Sequence, residues 1–156
     1  MARHHGALSK APVGAPSMYG TILVTLDTTT SDRAIIEHVK RLAREMRTRR
    51  VVLLHVADGW AARFHGAEAI SPEISEDTAY LRQVQGEFEA EGFITQVALA
   101  FGDPATEIVN WIGREGCDLV AMSTHGHRFL ADLFLGTTAT RVRHRISVPV
   151  LLLRAK

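Results

Sequence analysis

Two glycines, Gly126 and Gly136, flank the nine residues HRFLADLFL, and the second is followed at once by Thr137 and Thr138. Glycine removes the Cβ, so the backbone can turn sharply or let a ligand come close. Thr137 is a candidate N-cap of a helix running to about His144. A helix start carries unsatisfied N–H groups and partial positive charge, both of which suit phosphate. Two bare backbone segments with adjoining hydroxyls would make a cradle for a di- or triphosphate. The spacing is equally compatible with a plainer arrangement, in which Gly126 ends a strand and Gly136 merely starts a helix. No GxxxxGK[ST] occurs, and no GxGxxG follows the first apolar run, so an ordinary P-loop and a dinucleotide fingerprint are both absent.

Other reactive side chains give weaker signals. Asp27 closes the run TILVTL and has no evident partner acid, while His125 and His127 have no assigned orienting carboxylate. Lone histidines beside a loop seldom act as general bases, and SxH or HxH spacing is weak evidence for a metal or a nucleophile, so no catalytic residue and no resident metal is expected. His127 and Arg128 could lend charge to a triphosphate or simply face solvent. His125 is read as shaping the turn or touching a phosphate. Cys117, the sole cysteine, reads as a small packing residue and cannot form an intrachain disulfide, which suits a reducing compartment.

These residues need a scaffold, and the remaining sequence supplies one. TILVTL (21–26), VVLLHV (51–56), FITQVALA (93–100), DLVAMS (118–123) and VPVLLL (148–153) read as strands buried on both faces. Between the first two, Ala34, Ile35, Val39, Leu42, Ala43 and Met46 recur at helical spacing after a cap at Ser31 or Asp32, and RTRR (47–50) closes the helix. Glu76 to Glu91 places Ala79, Tyr80, Val84 and Phe88 on one face, and a third helix opens at Pro104 and closes at Gly116. Residues 59–75 read as a surface loop or lid. Each crossover is long enough for a parallel βαβ unit, so the chain is α/β. In such a sheet ligands sit beyond the C-terminal strand ends where strand order reverses. If the first and fourth strands are neighbours there, Asp27 and the glycine motif face one crevice.

Composition excludes several classes. With 156 residues, 46% apolar and 22% charged, the chain fits one domain with a sizeable core. A formal net charge of +1 gathers neither nucleic acid nor a membrane surface, and no apolar run approaches the ~20 residues of a membrane span. Residues 1–17 are rich in Gly, Pro, Ala and Ser, lack an apolar signal core, and read as a flexible lead; His4 and His5 within it read as a disordered surface pair.

The stretch MSTHGHRFLADLFLGTTATRVRHRISVPVLLL resembles the C-terminal signature of the universal stress protein family. That family's ATP-binding branch carries glycine, two residues, glycine, nine residues, glycine, then Ser or Thr. The same spacing here starts from Ser123 and runs through Gly126, Gly136 and Thr137. ILVTLD and VVLLHVAD resemble the family's first two strands, GDPATEIVNWIGREGCDLVAMSTHG resembles its third-helix-to-fourth-strand passage, and the likeness covers most of residues 19–154. The resemblance implies one domain over 18–156. Its fold would be an open five-stranded parallel sheet in the order 3-2-1-4-5 with helices on both faces, like the adenine nucleotide alpha hydrolases. It also implies an ATP site, with ADP or AMP as alternatives and Mg²⁺ carried by the nucleotide. By position, Asp27 would meet the adenine or ribose, and Thr25, Leu26 and Val56 would line the base pocket. Met122, Ser123 and Gly126 would follow the ribose and phosphates, with His125 in the loop between, and Gly136, Thr137 and Thr138 would hold the phosphates. The implied protein is a cytoplasmic stress-response regulator, homodimeric through strand 148–153. Two alternatives are an interaction protein of the same fold without nucleotide and a slow ATP hydrolase. Two departures stand out: Ser123 replaces the first glycine, and VTLD lacks the proline many relatives place before the acid. Serine disfavours positive φ, so a left-handed backbone at 123 would strain the loop.

Overall fold

Five apolar runs become five strands because each must be covered on both faces. The computed structural model describes residues 16–57, 72–123 and 137–154. In chain order these form β1 (Thr21–Thr25), α1 (Asp32–Met46), β2 (Arg50–Ala57), α2 (Pro72–Ala90), β3 (Ile94–Phe101), α3 (Pro104–Glu115), β4 (Leu119–Ser123), α4 (Thr137–Arg143) and β5 (Val150–Leu153). The sheet is parallel in the order β3-β2-β1-β4-β5, as the resemblance implied. Sequence-predicted strand limits agree to within two residues.

Side chains alternate across the strands, and each face receives its own pair of helices. Ile22, Val24, Val51 and Leu53 pack under Ile35, Ile36 and Val39 of α1 and Leu81, Val84 and Phe88 of α2. Leu23, Val52, Leu54 and Val120 pack on the opposite face under Ala105, Ile108 and Ile112 of α3 and Val142 of α4. Cys117 is buried in this second layer, where burial above all pushes its thiol up to about 11.

Three local readings are corrected. Ser31 precedes α1 but its side chain makes no capping bond; Asp32, the first helical residue, turns its carboxylate back towards the preceding loop. Ala34 and Ala79 are exposed, while Ile36 and Leu81, each two positions on, take the core. A larger side chain removes more apolar area from water, which sets how each helix rotates onto the sheet. Helix α2 starts at Pro72 rather than Glu76, because Pro suits a helix's first turn. It absorbs the end of the segment read as a loop or lid; residues 58–71, like residues 1–15, lie outside the described residues. Gly92 and Gly116 end α2 and α3 at φ 92° and 60°, a backbone region glycine enters freely.

Strand order fixes where a ligand could sit. From β1 the chain steps to β2 and β3 on one side, then returns across the sheet to β4 and β5 on the other. Thr25 pairs with Leu54 of β2 and with Met122 of β4, so the C-terminal ends of these three central strands meet at the switch point.

Candidate functional site

At that point lies an open crevice of about 520 Å³, counted out to solvent. Thr25, Leu26, Asp27, Val56, Met122, Ser123 and Thr138, all singled out from sequence, line it together. Leu54, Pro104 and Ile108 complete its apolar walls, and Asp32 and His55 complete its polar floor. Thr137 opens α4. His125, Gly126 and Gly136 lie outside the described residues, as do His127 and Arg128.

The floor is built by the loop after β1. Asp27 is 8% exposed and Asp32 is fully buried. Asp27 donates its N–H to Asp32 Oδ1 (3.1 Å), and Thr28 donates its N–H to Asp32 Oδ2 (2.9 Å). The Tyr80 hydroxyl, reaching across from α2, also donates to Asp32 Oδ2 (3.0 Å). Asp27 Oδ1 accepts the Thr29 N–H (3.0 Å) and hydroxyl (2.6 Å). Thr28 is held at φ 64°, in the left-handed region, which a β-branched residue rarely enters. The expectation that Asp27 has no partner acid is therefore overturned, because the tight turn folds the acid five positions on against its backbone. Burial, and after it the charge of Asp27, pushes the Asp32 carboxyl up to about 7. Burial, followed by Asp32, also raises the Tyr80 hydroxyl above its ordinary value.

His55 is the one polar residue in the buried run VVLLHV. Its Nδ1 lies 2.8 Å from the Leu26 carbonyl, which can only accept, so Nδ1 carries the hydrogen. Its Nε2 lies 3.4 Å from Asp77 Oδ2 of α2. The ring thereby fixes the backbone at Leu26, next to Asp27. Both His55 and Asp32 escaped the reading from sequence. A polar residue inside an apolar strand, and a second acid beyond a run of three threonines, were the signals that could have found them.

Ser123 is the last residue of β4, pairs with Leu153, and does not occupy the left-handed region. The strain feared from a serine there is absent. Its side chain is 5% exposed, and its Oγ finds no hydrogen-bond partner among the described residues; neither does Asp27 Oδ2. Buried polar atoms without partners are uncommon, and each costs about 1–3 kcal/mol. Two of them on one crevice wall mark where an incoming polar group would be satisfied.

The rim joins α3 to α4. Asp103 caps α3, accepting the Thr106 N–H (3.0 Å) and hydroxyl (2.7 Å), and Arg141 of α4 grips both its oxygens (2.8 and 2.9 Å). The Arg141 guanidinium, helped by Thr106, holds the Asp103 carboxyl down to about 2. This pairing sets α4, and with it Thr138, against the crevice.

The sequence matches the family model for the universal stress protein family over residues 18–154. Universal stress protein MJ0577 of Methanocaldococcus jannaschii is 27% identical over 158 residues, spanning 89% of this chain and 97% of that protein. A solved structure of MJ0577 aligns with a TM-score of 0.70, covering 89% of this chain and 98% of that one. A universal stress protein crystallised in complex with cAMP is 18% identical with a TM-score of 0.68, covering 88% of this chain and 99% of that one. The universal stress protein from Archaeoglobus fulgidus in complex with dAMP is 17% identical with a TM-score of 0.63, covering 86% and 97%. The last two likenesses are of fold.

Proposed function

Because this chain belongs to the universal stress protein family, we propose that its crevice binds an adenine nucleotide, with ATP the first candidate, and that the protein works as a nucleotide-responsive regulatory module. The observation that carries this reading is the pair of buried oxygens on the crevice wall, Asp27 Oδ2 and Ser123 Oγ, without partners among the described residues. A nucleoside matches that wall. Its flat base suits the apolar surfaces of Leu26, Val56, Ile108 and Met122. Its N–H and O–H groups offer the donor Asp27 Oδ2 lacks, and its oxygens accept from the Ser123 hydroxyl. Two proteins of the same fold were solved with cAMP and dAMP, which supports the adenine nucleotide class. Thr138, with Gly126, Gly136 and Thr137, is assigned to the phosphates. Among the described residues no group of three His, Cys, Asp or Glu side chains could hold a metal ion. Mg²⁺ would travel with the phosphates, whose oxygens suit a hard cation.

The same reading takes the protein as a homodimer through β5. This strand pairs with β4 at the sheet edge, with Leu152 48% exposed, and an apolar edge invites pairing. A single-chain mass by light scattering at micromolar concentration would remove the dimer and leave the nucleotide site standing.

The direct test is to purify the protein without added nucleotide, denature it, and identify released ligand by mass spectrometry, alongside calorimetry with ATP and Mg²⁺. An adenine nucleotide, or a binding heat that Asp27→Ala weakens at least about tenfold, is expected. Neither ligand nor heat in the folded protein would end this reading.

A further inference from the structure

The turn after β1 is held from two other elements, and one peptide unit carries both holds. The Leu26 carbonyl accepts from His55 Nδ1 of β2 (2.8 Å), and the Asp27 N–H of the same peptide donates to Asp32 Oδ1 (3.1 Å). Asp32 Oδ2 takes the next N–H, that of left-handed Thr28 (2.9 Å), together with the Tyr80 hydroxyl of α2 (3.0 Å). One carboxylate thus spans two successive N–H groups and must keep one orientation to reach both; free to turn about its last bond, it would lose one of them. Among the described residues the Tyr80 hydroxyl is the one bond to that carboxylate from beyond the turn. The half-buried Tyr80 ring packs against the core beneath α1 and α2, and Tyr80 is not among the described residues that line the crevice. Asp77, three positions earlier and so on the same face of α2, lies 3.4 Å from His55 Nε2. Helix α2 therefore backs both holders of the Leu26–Asp27 peptide.

Resting on the nucleotide reading, we propose that Tyr80 is a positioning residue for the nucleotide site: its hydroxyl fixes the Asp32 carboxylate, and through it the turn that presents Asp27 to the crevice. A backbone held in a sparsely populated region persists only where its surroundings over-determine it, and Tyr80 supplies that constraint to Thr28 from outside the turn. The seating of α2 then enters the affinity, because an Asp27 that wanders must be ordered before it can accept from a nucleoside. By reciprocity, a nucleotide that pins Asp27 seats α2 more firmly.

The test is Tyr80→Phe, which keeps the ring and removes only the hydroxyl. Calorimetry with ATP·Mg²⁺ should show affinity about three- to fivefold weaker than wild type. The loss should vanish when both proteins also carry Asp27→Ala, since Tyr80 acts through that carboxylate. A merely structural role would lower stability while leaving the affinity of the folded protein unchanged, or would cost the same in both backgrounds. Either of those results overturns the proposal. Amide exchange followed by NMR adds a readout that needs no ligand. In the free protein the Asp27 and Thr28 N–H groups should exchange at least about threefold faster in Tyr80→Phe. Added ATP should slow the α2 amides around Tyr80 in the wild type and not in Tyr80→Phe; equal slowing in both overturns the coupling. If ATP binds none of these proteins, the nucleotide reading fails. Faster exchange at Asp27 and Thr28 in Tyr80→Phe would then still uphold the hold on the turn, and unchanged exchange would overturn that too.

Discussion

The two ends of the sheet use the same kinds of side chain to opposite effect. At the N-terminal strand ends, Asp118 accepts the N–H groups of Gly20 (2.8 Å) and Thr21 (3.1 Å), and Glu115 accepts from Arg50 (2.9 Å) and Gln96 (3.3 Å). Each carboxylate oxygen there has a donor. At the C-terminal ends, among the described residues, Asp27 and Asp32 lie together without a cation and Asp27 Oδ2 and Ser123 Oγ lack partners, and Thr28 is left-handed. The satisfied end, where Thr48 Oγ1 is the one orphaned buried side-chain atom among the described residues, anchors the strands; the unsatisfied end gathers on one crevice mismatches that a ligand can relieve. That division is expected where a stable scaffold carries a binding site.

The largest effect should come from breaking the satisfied end. Asp118→Ala leaves the Gly20 and Thr21 N–H groups without their acceptor and should lower stability by about 2–3 kcal/mol, seen in urea unfolding. Nucleotide affinity of the folded protein should not change, since Asp118 sits at the far end of the strands. Lost affinity with the fold intact would show that the two ends are coupled and dissolve the contrast.

The carboxylate pair allows a pH test of the unsatisfied end without any ligand. Asp32 is raised in the folded state, so between roughly pH 4 and 7 the native protein binds more protons than the unfolded chain. Its contribution is present in full below the unfolded value and is lost as pH rises through about 7. Relative to Asp32→Ser, the wild type should lose about 1–2 kcal/mol of stability between about pH 5 and pH 8. The opposite slope would mean that the Asp27, Thr28 and Tyr80 donors outweigh burial and hold Asp32 ionised. Asp103 runs the other way: depressed to about 2, its contribution is present above the ordinary carboxylate range and fades only in strong acid.

This contrast also explains what could be read from the sequence. The scaffold is written in local pattern: unbroken apolar runs demand two covering layers, and Pro104 and Gly116 bracket α3 by backbone chemistry alone. Asp27 and the end of the fourth strand could be brought together because strand ends converge at a switch point, while Thr25, Leu26, Met122 and Ser123 could be placed by the family resemblance, which also implies the strand order. Asp32, Tyr80 and His55 could not. Tyr80 lies 48 positions from Asp32, and His55 lies 29 from Leu26, so their bonds depend on how α2 and β2 seat against the β1 loop. Helical spacing marks which face is apolar, but not which of two neighbouring residues wins the core, as Ala79 and Leu81 show.

The smallest effect isolates the strain itself. Thr28, at φ 64°, and Arg47, at φ 56°, are the two left-handed non-glycine residues among those described, one at each end of the sheet. Arg47 merely ends α1, its N–H reaching the Ala43 and Arg44 carbonyls, a place where glycine is the usual choice. Thr28 instead holds its N–H on Asp32 while its neighbour Asp27 faces the crevice. Relieving the left-handed penalty with glycine, less the entropy glycine adds to the unfolded chain, should raise stability by about 0.5–1 kcal/mol at either position. Only Thr28→Gly should also change binding, weakening ATP by about two- to threefold as the loop loses its preset shape. Chemical denaturation and a calorimetric titration of both variants separate the cases. If Thr28→Gly gains stability with affinity untouched, the strain after β1 belongs to the scaffold, and the unsatisfied end narrows to the carboxylate pair and Ser123.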